Sequence, residues 1–323
     1  MQPNIFNEEA INGYPNWGES KYWSYKNLKV HFRVTGEESN PPIVLIHGFG
    51  ASCDHWRNNA KVFALEGFRV FGIDLIGFGK SEQDIKGKIK HLDNEFWSNQ
   101  LTSFINEVVN TKKSEKVILI GNSLGALTAI TTLSKRPDQI KTIIAAPLPE
   151  PVFVNPIKFS LPSWLVKIKS FLIKITFNLF PFKLLVNLIS RTKLINIALQ
   201  SAYFRPISND TQLKRIVTVP ARRFNASQAL KAMCIGMSNR SISTKGPSII
   251  EKIQYLPNRP PILLIWGNQD KLIPIFLAKK LIKLHPWLKL TVIDEAGHCL
   301  HDELPKHFNQ IVLKWLKNLK TSK

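Results

Sequence analysis

The stretch "LIGNSLGA", residues 119–126, sets a small polar residue between two glycines directly after an apolar run. Gly121, Ser123 and Gly125 have the spacing Gly-x-Ser-x-Gly. Ahead of it, Val117 to Ile120 reads as a short buried strand, and behind it "LGALTAITTL" has the pattern of a helix. A sharp strand-to-helix turn around a nucleophile needs minimal side chains two residues either side, which Gly121 and Gly125 provide. The same turn sets Ser123 at a helix amino end, where free N–H groups favour developing negative charge.

The surroundings repeat that strand rhythm. Short β-branched runs occur at Ile43–Ile46, up to Asp74, at Val117–Ile120, Ile140–Ala146, Ile262–Trp266 and Leu290–Ile293. Each is continuous rather than alternating, as a parallel sheet covered on both faces requires. The alternating run Leu28–Val34 reads as an antiparallel edge strand. The expected class is α/β. After Pro147 the rhythm stops, and residues 148–245 become helical, proline-punctuated and basic. The reading is a core of residues 1–147 and 246–323 with a helical insertion over the carboxyl edge of the sheet.

A serine hydroxyl attacks poorly unless a base takes its proton. In the order Ser, Asp, His, both partners should follow residue 123. "WGNQD" puts Asp270 just past one strand, and "DEAGH" puts His298 just past the next. Ligands gather beyond the carboxyl ends of parallel strands, so the three groups can meet there. After Ile46 comes "HGFG", residues 47–50, where Gly48 lets the backbone approach a substrate. The N–H groups of Phe49 and Leu124 are the expected oxyanion donors, with His47 a structural residue of that loop. Each residue has a plainer reading alone: Ser123 as a helix cap, Asp270 as a turn residue, His298 as an ordinary histidine with His301 or His307 competing. Their joint placement favours catalysis. Asp74 reads as a loop organiser and Cys299 as a wall residue.

These motifs resemble the α/β-hydrolase superfamily over about residues 25–147 and 255–320, the insertion corresponding to that family's variable cap. The resemblance implies an eight-stranded, mostly parallel sheet with helices on both faces. It further implies a triad of Ser123, His298 and Asp270, with no metal and no cofactor. More narrowly, "GNSLG" with "AGHCLHDELP" (296–305) looks like the pheophytinase and chlorophyll-dephytylase-like branch, which cleaves a phytyl ester. Ala126 departs from the glycine usual there. Asn122 also resembles the branch that hydrolyses carbon–carbon bonds of ring-fission products. Ser123 excludes the haloalkane dehalogenase and epoxide hydrolase branches, whose alkyl-ester intermediate needs a carboxylate nucleophile.

The chain of 323 residues has 44 Lys and Arg against 23 Asp and Glu, a formal charge of +21. Between Lys158 and Arg223 twelve bases face one acid, Asp210. Such an excess suits an anionic surface or merely colours the exterior. No zinc-finger spacing, RNA-binding aromatic pattern or helix-turn-helix signal accompanies it, so no nucleic-acid partner is expected. Three scattered cysteines point to a reducing compartment. The start has no basic-then-apolar leader, and no uncharged apolar run approaches the ~18 residues of a spanning helix. The expected place is the cytoplasm, with peripheral contact to an anionic membrane left open.

"SWLVKIKSFLIKITFNLF", residues 163–180, has a narrow polar stripe at Lys167, Ser170, Lys174 and Asn178, and nearly everything else is large and apolar, with Lys169 fitting neither reading below cleanly. The favoured reading is a buried helix whose Trp164, Phe171, Phe177 and Phe180 wall a pocket for a bulky hydrophobic substrate. The other is a helix that dips into a lipid headgroup layer. The functional expectation is a serine esterase with a hydrophobic small-molecule substrate. A carbon–carbon hydrolase and a non-catalytic receptor on the same scaffold are the alternatives.

Overall fold

A computed structural model of the chain describes residues 15–85, 87–89, 91–110, 115–149, 163–240 and 248–321. Eight strands form one sheet: β1 (Glu19–Tyr25), β2 (Leu28–Thr35), β3 (Pro42–Ile46), β4 (Arg69–Ile73), β5 (Val117–Gly121), β6 (Ile140–Ala145), β7 (Ile262–Gly267) and β8 (Lys289–Ile293). Their order is β1-β2-β4-β3-β5-β6-β7-β8. β2 pairs antiparallel with both β1 and β4, and every pair from β4 to β8 is parallel. The expected α/β class and mostly parallel eight-stranded sheet are therefore observed.

One strand expectation needs correction. Leu28–Thr35 is antiparallel but not an edge, because β1 covers its outer side. β1 escapes the sequence reading because it is a largely exposed edge strand with no continuous apolar run. The two-residue turn behind it, Lys26 and Asn27 at φ 51° and 61°, has both central residues left-handed, as tight hairpins require.

Alternation along the inner strands sorts side chains onto two faces. Val44, Ile46, Leu119 and Leu264 join one buried cluster with Leu101, Leu127, Ile250 and Ala278. Those come from helices α2 (Asn94–Phe104), α3 (Leu124–Lys135), α9 (Ile249–Gln254) and α10 (Ile275–Leu284). Ile43, Leu45, Ile118 and Leu263 join the other cluster with Phe63, Leu300 and Phe308. Those come from α1 (Ala60–Leu65), α11 (Leu300–Glu303) and α12 (Pro305–Thr321). This double covering explains why β3, β5 and β7 carry no polar side chain.

Among the described residues between β6 and α9 there are five helices: α4 (Ser163–Leu179), α5 (Phe182–Arg191), α6 (Leu194–Gln200), α7 (Thr211–Ala221) and α8 (Ala226–Arg240). They lie in the segment read as an insertion. Asp210 caps α7 by accepting from Leu213 N at 2.7 Å.

Candidate active site

Ser123 stands between β5 and α3 with φ 50° and ψ −112°, a left-handed backbone that a non-glycine residue adopts only under constraint. The constraint is visible. Ser123 N donates to Pro147 O at 3.1 Å, Asn122 N to Ile46 O at 3.0 Å, and Gly125 N to Asn122 O at 2.8 Å. A Cβ on Gly125 would lie 2.1 Å from Ile46 O, and one on Gly121 would lie 2.4 Å from Ala126 N. The glycines permit the approach of α3 to β3 that forms the turn. Although Ser123 occupies the cap position of α3, its side chain makes no capping bond.

Asp270 and His298 follow β7 and β8, and Asp270 Oδ2 pairs with His298 Nδ1 at 2.9 Å. Asp270 Oδ1 accepts from Leu272 N and Ile273 N, both at 2.9 Å. The turn role and the histidine partnership thus coexist in one carboxylate. His298 is tied to the serine turn through its backbone, because Asn122 Nδ2 donates to His298 O at 3.2 Å and to Ala146 O at 2.7 Å. Among the described residues, neither the Ser123 hydroxyl nor His298 Nε2 has a hydrogen-bond partner. The carboxylate–imidazole link is closed and the imidazole–hydroxyl link is open, an arrangement common before substrate binds.

Gly48 and Phe49 follow β3, and Asn122 Oδ1 would meet a Cβ on Gly48 at 2.3 Å. Glycine is therefore needed for close packing of the two loops. His47 Nδ1 lies 2.7 Å from Gly48 O, and its Nε2 accepts from Leu75 N at 3.1 Å. Both nitrogens serve the loop, and burial lowers its pKa, so His47 is a neutral structural residue.

Asp74 organises the adjoining loop. Its Oδ1 accepts from Cys53 N at 2.6 Å, and its Oδ2 accepts from Lys80 N at 2.8 Å and faces His31 Nδ1 at 2.8 Å. Burial alone would raise this carboxyl, but His31 and the Cys53 N–H hold it well below the usual carboxylate range. His31, Cys53 and Asp74 place donor atoms within 4.8 Å of one another. The bonds just described already use the carboxylate, which explains the cluster as a structural hub.

A cleft of about 100 Å³ opens beside Phe49, lined by Phe78, Leu92, Val186, Val217 and Leu230. Phe49, Phe78 and Leu92 come from core loops and Val186, Val217 and Leu230 from α5, α7 and α8, while Phe171, Phe177 and Phe180 lie elsewhere. Phe171 is 63% exposed and Phe180 is 44% exposed, so both face outward. Phe177 is half-buried against Phe182, with ring centroids 6.0 Å apart, and does not line the cleft. The side chain of Trp164 lies outside the described residues. A largely apolar helix reads as buried, yet among its described side chains α4 exposes Phe171, Leu172, Ile175 and Leu179. Cys299 packs with Tyr203, Ile207 and Leu213, forming a wall between the core and the helical segment.

A polar tether has no counterpart in the sequence pattern. Tyr203 Oη lies 2.8 Å from His55 Nε2 and donates to Asp302 Oδ2 at 3.0 Å. Arg57 donates to Asp302 Oδ1 at 2.9 Å and to Asp210 Oδ2 at 2.5 Å. Burial opposes the Arg57 charge, but the two carboxylates outweigh it and raise its pKa. Five side chains up to 247 positions apart in sequence meet here, and no local spacing announces such a cluster.

Three curated relatives show the spread of reactions around this scaffold. A 2-hydroxy-6-oxononadienedioate/2-hydroxy-6-oxononatrienedioate hydrolase of Paraburkholderia phymatum is 25% identical, covering 90% of this chain and 91% of that one. Epoxide hydrolase 4 of Homo sapiens is 23% identical, covering 94% of this chain and 80% of that one. The chloroplastic pheophytinase of Arabidopsis thaliana is 25% identical, covering 93% of this chain and 66% of that one. The family model described as alpha/beta hydrolase fold matches residues 41–305. With the β5–Ser123–α3 turn and the eight-stranded sheet in place, the chain belongs to the α/β-hydrolase fold family.

Proposed function

We propose that the protein is a serine hydrolase that cleaves an ester of a bulky hydrophobic molecule, such as a phytyl or lipid ester. The observation that carries this reading is the 2.9 Å His298–Asp270 pair behind a serine on a positive-φ turn. Ser123 Oγ attacks the carbonyl carbon while His298 Nε2 takes its proton. The oxyanion is held by the N–H groups of Phe49 and Leu124, worth about 3 kcal/mol of barrier per donor. The ester C–O bond breaks as His298 returns the proton to the departing alcohol. Water then attacks the acyl-enzyme with His298 again the base, releasing the acid and restoring Ser123. Asp270 holds the imidazole in one tautomer and stabilises its charged form.

The cleft supports the hydrophobic substrate. Aromatic and aliphatic walls gain about 25 cal/mol for each Å² of apolar surface they cover. None of the described residues lining it is cationic. A dicarboxylate, as the name of the Paraburkholderia relative implies, would find no charge partner among them. The epoxide hydrolase name likewise does not carry over, since Ser123 offers no carboxylate.

The test pairs the wild type with Ser123→Ala. A fluorophosphonate probe should add its mass to Ser123 and leave the variant unlabelled. A panel of long-chain, phytyl and short-chain esters should be turned over only by the wild type. Absence of labelling in folded protein would overturn the nucleophile assignment. Turnover of a vinylogous diketone without esterase activity would replace the ester reading with carbon–carbon hydrolysis.

A further inference from the structure

We propose that the outer face of α4, α5 and α6 docks on an anionic lipid bilayer, with its apolar side chains among the headgroups and upper acyl chains. Three consecutive helices each present an exposed apolar stripe at helical spacing. α4 exposes Phe171, Leu172, Ile175 and Leu179, α5 exposes Leu184 and Leu188, and α6 exposes Leu194 and Ile197. Leu179 is 80% exposed, Leu184 67% and Ile197 69%, values far above those of core residues. The stripes of α4 and α5 are joined by an aromatic knot in which Phe182 meets Phe180 and Phe177, with centroids 4.8 and 6.0 Å apart. Solvated monomers rarely display so many large apolar groups together.

The charge decides the occupant. From Ser163 to Arg240 the sequence has one acidic side chain, Asp210, and Arg57 of the core binds it. Lys174, Arg191 and Lys193 are exposed, and none forms an ion pair among the described residues. A second copy docking here would press two basic faces together. A nucleic acid would answer the lysines but leave the leucines in water. Anionic lipid meets both demands, because lysines bind headgroups while leucines enter the interfacial layer. No single described helix is long and apolar enough to cross a membrane. Ser170–Leu179 and Phe182–Arg191 together are long and apolar enough for a broken span but are bent by 56° at their junction, so release by carbonate separates a surface-bound pair from an inserted one. This inference does not depend on the hydrolase reading.

The experiment is co-sedimentation of the full chain with phosphatidylcholine vesicles, with and without phosphatidylserine, at low and high salt. The expected result is binding to the phosphatidylserine vesicles that falls as salt rises. Lys174→Glu with Lys193→Glu should weaken it by roughly tenfold or more. Leu179→Ser with Leu184→Ser should abolish retention. Bound protein should be released by alkaline carbonate. All of these positions are exposed, so unfolding is not the expected cause, and thermal denaturation checks it. The wild-type lipid and salt dependence stands independently of any variant. No sedimentation with either vesicle, equal binding without phosphatidylserine, or resistance to carbonate would overturn the proposal. So would a concentration-dependent dimer in solution that loses its partner on Leu184→Ser.

Discussion

The backbone N–H of His298 donates to the carbonyl of Ala202 at 2.9 Å, although the two lie on opposite sides of the sheet's last two strands in sequence. Cys299 N shares the same acceptor at 3.1 Å. A Cβ on Gly297 would lie 2.8 Å from Phe204 N and 2.9 Å from Ala202 O, so glycine is what admits this contact. The proposed base therefore rests on the helical segment as well as on the sheet.

Tyr203 is the next residue along that contact, and its hydroxyl joins His55 to Asp302. Tyr203→Phe keeps the ring but strands the buried His55 Nε2 and leaves Asp302 Oδ2 with Arg57 Nη2 at 3.0 Å, a loss that typically costs about 1–3 kcal/mol. We expect urea denaturation to show that loss with the fold retained. Labelling of Ser123 by a fluorophosphonate should slow as the histidine loop loosens. Unchanged stability would mean that the hydroxyl carries no weight in the tether.

Asp270→Asn separates the two duties of that carboxylate. One oxygen remains to accept from Leu272 N and Ile273 N, so the turn should survive. The new NH₂ then faces His298 Nδ1, which must become an acceptor, and Nε2 carries the proton. That is the wrong tautomer for a base, and the expected fall in kcat is roughly 10⁴-fold with KM little changed. Steady-state kinetics on an ester cleaved by the wild type, with circular dichroism to check folding, measures both.

How much of this was legible in the sequence follows from how local each signal is. The inner strands and the Gly121–Ser123–Gly125 turn declare themselves because every residue that makes them is contiguous. Asp270 and His298 stand out as candidates because strand ends are local too, and topology brings those two side chains within 2.9 Å. β1 was missed because an exposed edge strand needs no apolar run. The exposure of Phe171, Leu172, Ile175 and Leu179 on α4 is not legible because composition cannot distinguish a helix buried in protein from one whose apolar side chains face outward. The Arg57–Asp302–Tyr203–His55 cluster depends on contacts between distant segments, which no pattern along the chain records.

Two glycines of the site should respond very differently to alanine. At Gly125 an added Cβ would stand 2.1 Å from Ile46 O and 2.7 Å from His47 O, both backbone atoms of the packed β3 end. Gly125→Ala must push α3 away from the sheet, and we expect loss of several kcal/mol or failure to fold. At Gly50 nothing lies within 4 Å, and the only penalty is its φ of +72°. Gly50→Ala should cost about 1 kcal/mol and leave labelling of Ser123 intact. Comparing denaturation midpoints of the two variants tests whether close packing or backbone freedom dictates each glycine.

The last prediction concerns acid. His55, His301 and His47 are buried, and burial lowers the pKa of each, that of His55 to about 4 and that of His301 well below 6.5. The folded state therefore holds them neutral while the unfolded chain protonates them near 6.5. The unfolded state binds more protons throughout the interval, so stability rises with pH there. The His55 contribution is complete above about pH 6.5 and is lost as pH falls toward 4, and those of His47 and His301 act in the same direction. For His55 alone the full loss is about 3 kcal/mol. His301 is the informative one to replace. Neither ring nitrogen has a partner among the described residues, and its ring stands between Trp56 at 4.2 Å and Phe308 at 6.2 Å. His301→Phe keeps the aromatic contacts and removes two buried unpaired polar atoms. It should be neutral or stabilising at pH 7.5, and its advantage over the wild type should widen at pH 5. Thermal melts at the two pH values read the difference directly, and an equal shift at both would mean that His301 takes no part in the acid sensitivity.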